Sequence, residues 1–403
     1  MVKLPPIINH CYLMVTEMCP LRCKYCYIKN RHINNEFPFE WVSKIKNMFT
    51  CYNKPRLIFF GGEPLTKIDL IERIVNEYKD DFQFQVVTNG VVNLSEFMER
   101  VYEPNRNNFD VQISWDGNND TRPLANGNIS NDKVYESLLK ELEKGRIFEG
   151  RCVLDETSVK HFYETYKTFK QLHSQYKFGG DFTIAHQLSF LESYHIDLKE
   201  QLDKVYLEIK EDLFKNDLFI PRFILKTITN VMQNKPVISC DIGTHVVIKP
   251  NGDVYPCTIL SQQDERFKLG NINGQIDTEI ITDLRYKAVC QKECEYKSIC
   301  DGGCRYERIK NFPNDWICNI CNHTCDIYKS VYDSTKLFLN NLTSEEESRL
   351  YEIINQYNMW KIDYDNGLRT NNQERLIWLV IILKQYVDIL KNQDMDIKSQ
   401  NFL

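Results

Sequence analysis

The stretch CPLRCKYC, running from Cys19 to Cys26, follows an apolar segment and spaces three cysteines as C-x3-C-x2-C. Three thiolates so close along the chain can reach one metal centre. A four-iron, four-sulfur cluster held by three cysteines leaves one iron without a protein ligand. That iron can coordinate and reduce a substrate, whereas a four-cysteine cluster usually stores and passes electrons. Zinc is the competing occupant. Structural zinc takes four ligands, commonly from paired knuckles, and no fourth ligand lies near the triplet in sequence.

Three further strings follow in order: RLIFFGGEP at 56–64, VVTNG at 86–90 and ISWDG at 113–117. With the triplet, and with aromatic Tyr25 before its third cysteine, they resemble the radical S-adenosylmethionine (SAM) superfamily over residues 8–190. The resemblance implies that Cys19, Cys23 and Cys26 hold a [4Fe-4S] cluster whose open iron binds SAM through its amine and carboxylate. It implies reductive cleavage to methionine and a 5'-deoxyadenosyl radical, which takes hydrogen from an unactivated position. The protein's share is orientation, electron supply and exclusion of water. By the same resemblance Glu63 accepts from the SAM amine, and Gly61 and Gly62 allow close backbone approach. Tyr25 packs on the adenine and the backbone of Tyr27 reads its edge. Ser114 contacts the ribose or carboxylate region, and Asn89 adds a polar contact.

Apolar runs rich in Val, Ile, Phe and Tyr near 11–16, 56–60, 83–88, 110–114, 150–154 and 182–187 predict strands. Segments of helical length separate them, so the sheet is expected to be parallel. Six such units make the partial (β/α)6 TIM-type barrel of this superfamily. Barrel sites lie at the C-terminal ends of strands, where every quoted motif falls. His186, near the end of the sixth strand, is the candidate catalytic acid or base, with Asp155 and Glu156 after the fifth. A lone histidine on a strand is more often structural.

The 403 residues predict two or three domains: a barrel with connecting helices at 1–235, a cysteine-rich unit at 236–330 and a helical segment at 331–403. A net charge of −6 disfavours a nucleic-acid partner. Arg22, Lys24, Lys29 and Arg31 gather around the triplet. They make either a solvated loop face or a dock for an acidic reductant of the flavodoxin or ferredoxin type. Residues 1–9 lack the apolar core of a signal peptide, and the apolar run at 376–383 is too short for a bilayer. The expectation is a cytoplasmic protein with no membrane association.

Fifteen cysteines in a chain read as leaderless argue against a disulfide framework. Cys11, Cys51 and Cys152 stand alone and read as small buried hydrophobes. Nine more fall between residues 240 and 325. Asn251-Gly252 between alternating apolar residues is a hairpin signal that would fold Cys257 beside Cys240. Cys290, Cys294, Cys300, Cys304, Cys318, Cys321 and Cys325 follow. Zinc knuckles remain open at such spacings. The order C-x11-G-x4-C, then C-x5-C-x3-C, then a late cysteine, resembles the SPASM extension, as does DGGC at 301–304.

That second resemblance implies two auxiliary [4Fe-4S] clusters. Cys240, Cys257 and Cys304 would hold the inner one, and Cys290, Cys294, Cys300 and Cys325 the outer one. Two departures stand out. Three residues separate Cys290 from Cys294 where the extension has two, and Cys318 and Cys321 have no counterpart. Either Cys318 or Cys321 closes the inner cluster, or it keeps an open iron.

Members with this extension mostly modify peptides or proteins by crosslinking, oxidation or trimming, so a peptide or protein substrate is expected. One group oxidises a Cys or Ser of sulfatases to formylglycine with an aspartate base near the hairpin cysteine. Thr258 follows Cys257 here, and its hydroxyl is no base near neutral pH. The barrel begins close to residue 1, so a leader peptide would need a separate leader-binding protein. Radical oxidation of a small alcohol or sugar is a further reading. An iron–sulfur or zinc scaffold is the non-enzyme alternative, against which the triplet and Glu63 argue. Leu202, Val205, Tyr206, Ile209 and Leu213 mark an amphipathic helix. Capping boxes are expected at 343–346 and 371–374, and an apolar helix face around Trp378 and Ile381.

Overall fold

The computed structural model describes residues 3–365, apart from 6, 52, 186–191, 239, 264, 288–289, 291–292, 312–313 and 315–321. Six strands alternate with helices: β1 (His10–Thr16), β2 (Arg56–Gly61), β3 (Gln83–Thr88), β4 (Phe109–Ser114), β5 (Glu149–Leu154) and β6 (Gly179–Ile184). All five neighbouring pairs are parallel, the partial-barrel topology expected from the strand–helix alternation. On the other side of β1, β7 (His245–Ile248) pairs parallel to it. Beyond it, β8 (Asp253–Tyr255) and β9 (Gly270–Asn271) are antiparallel. The result is one open sheet in the order β6-β5-β4-β3-β2-β1-β7-β8-β9.

Side chains alternate between the faces of each strand. One face carries Leu13, Leu57, Phe59, Phe84, Val86, Phe109, Ile113 and Leu154, which belong to the main core with the surrounding helices. Phe59, Phe84 and Phe109 stack in a row across β2, β3 and β4, at 5.9 Å between successive ring centroids. The other face carries Tyr12, Ile58, Gln85, Gln112 and Arg151 toward the strand N-termini, and Met14, Phe60 and Val87 as part of a small apolar cluster toward the C-termini. The apolar faces of the helices therefore pack on one side, and the concave side, polar at the strand N-termini, is left for ligands.

The sixth strand lies three residues earlier than the apolar run at 182–187 suggests. It opens on Gly179-Gly180, which have little strand propensity. A Cβ on Gly180 would sit 2.5 Å from the Phe169 ring, so glycine is what lets helix Phe162–Tyr176 pack on the strand. The hairpin forms where Asn251-Gly252 predicts it, with Gly252 at φ +84°. The amphipathic helix spans Tyr194–Asp212. Its Tyr206 ring stacks on Phe338 at 4.8 Å, within helix Asn322–Asn340. Thr343 and Glu346 cap the following helix reciprocally, with backbone-to-side-chain bonds of 2.7 and 3.3 Å. The second capping box and the helix around Trp378 and Ile381 lie outside the described residues. No helix among the described residues is long and apolar enough to cross a membrane.

Candidate iron–sulfur site at the strand C-termini

The cysteine loop leaves β1 and is bonded on two sides. On one side, Gly62 N donates to Thr16 O at 2.8 Å and Glu63 N to Met18 O at 2.7 Å. The close approach that the paired glycines permit is to this backbone. A Cβ on Gly61 would fall 2.2 Å from Thr16 O, and one on Gly62 2.1 Å from Met18 O. On the other side the loop runs against the segment after β4. Arg22 N donates to Pro123 O at 2.7 Å, Lys24 N to Thr121 O at 3.0 Å and Ala125 N to Pro20 O at 2.8 Å.

Cys19, Cys23 and Cys26 are thereby brought within electrostatic range of one another. Burial pushes the Cys19 thiol up to about 11, with the Glu63 carboxylate adding to the rise. It pushes Cys23 up to about 12, with the Arg122 guanidinium pulling the other way. Cys19 Sγ accepts from Leu21 N at 3.4 Å and from Asn89 Nδ2 at 3.7 Å. No three His, Cys, Asp or Glu among the described residues converge closely enough to hold a single metal ion.

Glu63 lies wholly inside. Its Oε1 accepts from Thr88 Oγ1 at 2.7 Å and Leu65 N at 3.0 Å, and its Oε2 from Asn89 N at 2.7 Å. Burial raises its carboxyl to about 7 despite these donors. Asn89 is fully engaged: its Oδ1 accepts from Val91 N at 2.8 Å and its carbonyl from Arg122 Nη2 at 3.3 Å. Ser114, half-buried at the end of β4, has no side-chain hydrogen bond among the described residues. Arg22 spends its guanidinium on the carbonyls of Cys19 and Leu21, at 2.7 and 2.8 Å. Lys24 pairs with Asp120 at 2.9 Å.

Two residues of this site were passed over in the sequence. Asp116 is fully buried and accepts from Tyr25 OH at 2.6 Å and Val153 N at 2.8 Å, fixing the aromatic of the cysteine loop. Burial raises its carboxyl to about 6. Arg122 is 2% exposed, with Nε 4.0 Å from Asp116 Oδ2. Its Nε and Nη1 have no hydrogen-bond acceptor among the described residues. A buried guanidinium with spare donors beside a thiol group suits a pocket that takes an anion. The aspartate stood inside the quoted ISWDG string. Arg122, in a polar loop, gave no local sign of burial.

The second cysteine region forms two groups. Cys240, Cys257 and Cys304 interact electrostatically with one another. Asp301 ties them together, accepting from Cys240 N at 2.8 Å and Gly303 N at 3.0 Å. Cys290, Cys300 and Cys325 form the other group, and burial raises the Cys300 thiol to about 11. Cys294 is exposed. Tyr27 lies between the first triplet and the first of these groups. Its phenol bonds Thr258 and it lies in the field of both Cys26 and Cys257. Its carbonyl accepts from Gln263 Nε2 at 3.2 Å. Asp155 is occupied in capping, accepting from Thr157 N and Ser158 N at 3.0 and 2.8 Å. His186, Cys318 and Cys321 lie outside the described residues.

A parallel partial barrel with a three-thiol group at its strand C-termini, followed by further thiol groups, is the architecture that two family matches describe. Residues 13–169 match the model of the radical SAM superfamily, and residues 240–322 that of an iron–sulfur cluster-binding domain, SPASM. The chain carries a radical SAM domain and a SPASM domain, which together imply SAM and [4Fe-4S] clusters as cofactors.

It is 25% identical over 276 residues to the radical SAM cyclopropyl synthase TigE of Paramaledivibacter caminithermalis, covering 61% of this chain and 56% of that protein. It is 33% identical over 131 residues to the uncharacterized protein MJ0907 of Methanocaldococcus jannaschii, covering 30% and 44%. The chain thus spans about half the length of the curated relatives it matches. Among solved structures, native anSMEcpe with bound AdoMet superposes with a TM-score of 0.68 at 20% identity, covering 86% of this chain and 99% of that one. Streptococcus suis SuiB bound to S-adenosylmethionine gives 0.56 at 14%, covering 80% and 78%. At these identities the likeness is one of fold.

Proposed function

We propose that this radical SAM enzyme modifies a peptide or protein, installing a crosslink or an oxidation. The observation that carries the reading is the placement of two thiol groups, Cys19/Cys23/Cys26 and Cys240/Cys257/Cys304, on either side of Tyr27 at one end of the barrel. Solved relatives of the same fold add support, since anSMEcpe is known with a Cp18Cys peptide and SuiB with its precursor peptide SuiA. When bound, the cofactors supply a carbon-centred radical that removes a hydrogen atom from the substrate.

In this reading Cys19, Cys23 and Cys26 hold the first cluster. Glu63, Gly61, Gly62, Asn89, Ser114, Tyr25 and Tyr27 shape the SAM pocket. Asp116 keeps Tyr25 in place, and Arg122 presents its two spare N–H groups to an anion there. Cys240, Cys257 and Cys304 serve an inner auxiliary cluster; Cys290, Cys294, Cys300 and Cys325 serve an outer one. Thr258, bonded to Tyr27, offers no carboxylate base, which disfavours formylglycine formation. A flavodoxin- or ferredoxin-type reductant and a separate leader-binding protein complete the proposal, in a cytoplasmic setting.

Anaerobic reconstitution followed by dithionite and SAM tests it. The expected result is about twelve irons per chain, as three four-iron clusters contain, with 5'-deoxyadenosine released and a mass change in a short precursor peptide. Stoichiometric zinc, or no 5'-deoxyadenosine, would overturn it.

A further inference from the structure

A cavity of about 470 Å³ opens within the concave face of the sheet, toward the strand N-termini and away from the cysteine triplet. Its charged walls neutralise one another. Arg56 pairs with Asp110 at 3.6 Å, and Arg151 with Glu149 at 3.1 Å and Asp181 at 2.9 Å. Arg222 pairs with the same Glu149 and with Asp181, the latter at 3.5 Å. Arg349, the fourth arginine of the lining, pairs with Glu352 at 3.0 Å, so each of the four is matched to a carboxylate, although only Asp110 and Glu149 line the cavity themselves. A charged ligand would have to break this network, and stripping one partner from a buried pair is strongly unfavourable.

The neutral groups are different. Gln85 on β3, Gln112 on β4 and Tyr12 on β1 all line the cavity. None of the three has a side-chain hydrogen bond among the described residues. Gln85 pairs in register with Asp110 and Val87 with Gln112, so the two carboxamides are diagonal neighbours on one face. With strands about 4.8 Å apart and about 6.6 Å between alternate residues, such neighbours stand about 8 Å apart, a spacing that lets both reach one ligand group. A carboxamide offers a donor and an acceptor together, the complement of another amide. Tyr12 adds a phenol and packs on the apolar cluster of Met14, Phe60 and Tyr255, which Cys26 and Tyr27 also pack against, so that cluster lies between the cavity and the cysteine end.

We infer that this cavity is a binding site for a neutral peptide segment, whose backbone amide pairs with Gln85 and Gln112 while Tyr12 directs the segment toward the cysteine end. The inference rests on the peptide reading above and names where such a substrate is gripped.

Saturation-transfer difference NMR on the anaerobically reconstituted full chain tests it, with N-acetylglycylglycinamide as the probe and acetate and methylammonium as charged controls. The expected result is saturable binding of the amide alone. Near-isosteric Gln85→Met and Gln112→Met should each weaken it about 5- to 10-fold, the loss of one buried hydrogen bond. Iron content near wild type verifies that each variant folds, and Tyr12→Phe is a third variant should either misfold. Charged controls binding as well as the amide, or unchanged amide affinity in the folded variants, would overturn the inference. The two readings fail separately. A wild type that binds the amide but never cleaves SAM sinks the radical function and keeps the cavity; one that cleaves SAM and ignores the amide does the reverse.

Discussion

Glu63 and Asp116 are carboxyls at zero exposure whose burial outweighs their hydrogen bonds, raising them from 4.5 to about 7 and from 3.8 to about 6. A carboxyl with a higher pKa folded than unfolded holds its proton more tightly in the native chain. Its stabilisation is complete below the unfolded value and is lost as pH rises through the folded one. The metal-free protein should therefore weaken between about pH 4.5 and pH 7. Glu63→Gln, which cannot titrate, should recover at most about 3 kcal/mol of that loss at pH 8. Urea midpoints of both proteins at pH 5 and pH 8 measure this, and parallel pH slopes would refute it. Arg122 supplies the opposing charge. Arg122→Met strands Asp116 without a cation and should cost about 3–5 kcal/mol, the usual penalty for breaking a buried pair. If chemical unfolding shows no loss, the 4.0 Å approach to Asp116 carries no energy.

The ends of β1 and β2 depend on a backbone contact that a single methyl would destroy. Gly62→Ala places a Cβ 2.1 Å from Met18 O and 2.3 Å from Glu17 O, atoms that cannot swing aside as a side chain can. The substitution should cost about 3 kcal/mol or more and lower iron retention at the Cys19 loop, read by iron analysis and thermal unfolding. Wild-type values for both would mean the loop is free to move. At this scale much was legible in the sequence. The first five strands, the hairpin at Asn251-Gly252 and the Thr343 cap all rest on local signals, namely alternation, a turn dipeptide and a reciprocal capping pair. The sixth strand was misplaced because its opening Gly179-Gly180 makes sense only once Phe169, from the preceding helix, lies against it. The burial of Arg122 and Asp116 was hidden for a similar reason. It arises where the cysteine loop runs antiparallel to residues 121–125, a pairing across about a hundred residues of chain that no local pattern encodes.

Across the whole molecule, β1 joins the barrel to the hairpin. It pairs with β2 on one side and β7 on the other, with His10 to Leu13 in register with His245 to Ile248. Val246, Val247 and Ile248 are fully buried. A chain cut after residue 235, at the expected end of the barrel unit, would leave β1 as an unpaired apolar edge, a ready template for association. It would also lose helix Asn322–Asn340, uncovering the Tyr206 face of helix Tyr194–Asp212. There the Tyr206 hydroxyl bonds Thr335 at 2.7 Å. The fragment 1–235 should therefore aggregate or populate a state without fixed packing, while the full chain remains monodisperse. Size-exclusion chromatography and near-UV circular dichroism separate the outcomes. A monomeric fragment with native near-UV signals and one cooperative melt would show that the barrel folds alone and that β7 is an addition to it. Aggregation relieved by restoring residues 236–365 would show that the cysteine-rich region is part of the fold that shapes the first cluster's loop. Cofactor assembly at the two ends of Tyr27 would then depend on a single folding event.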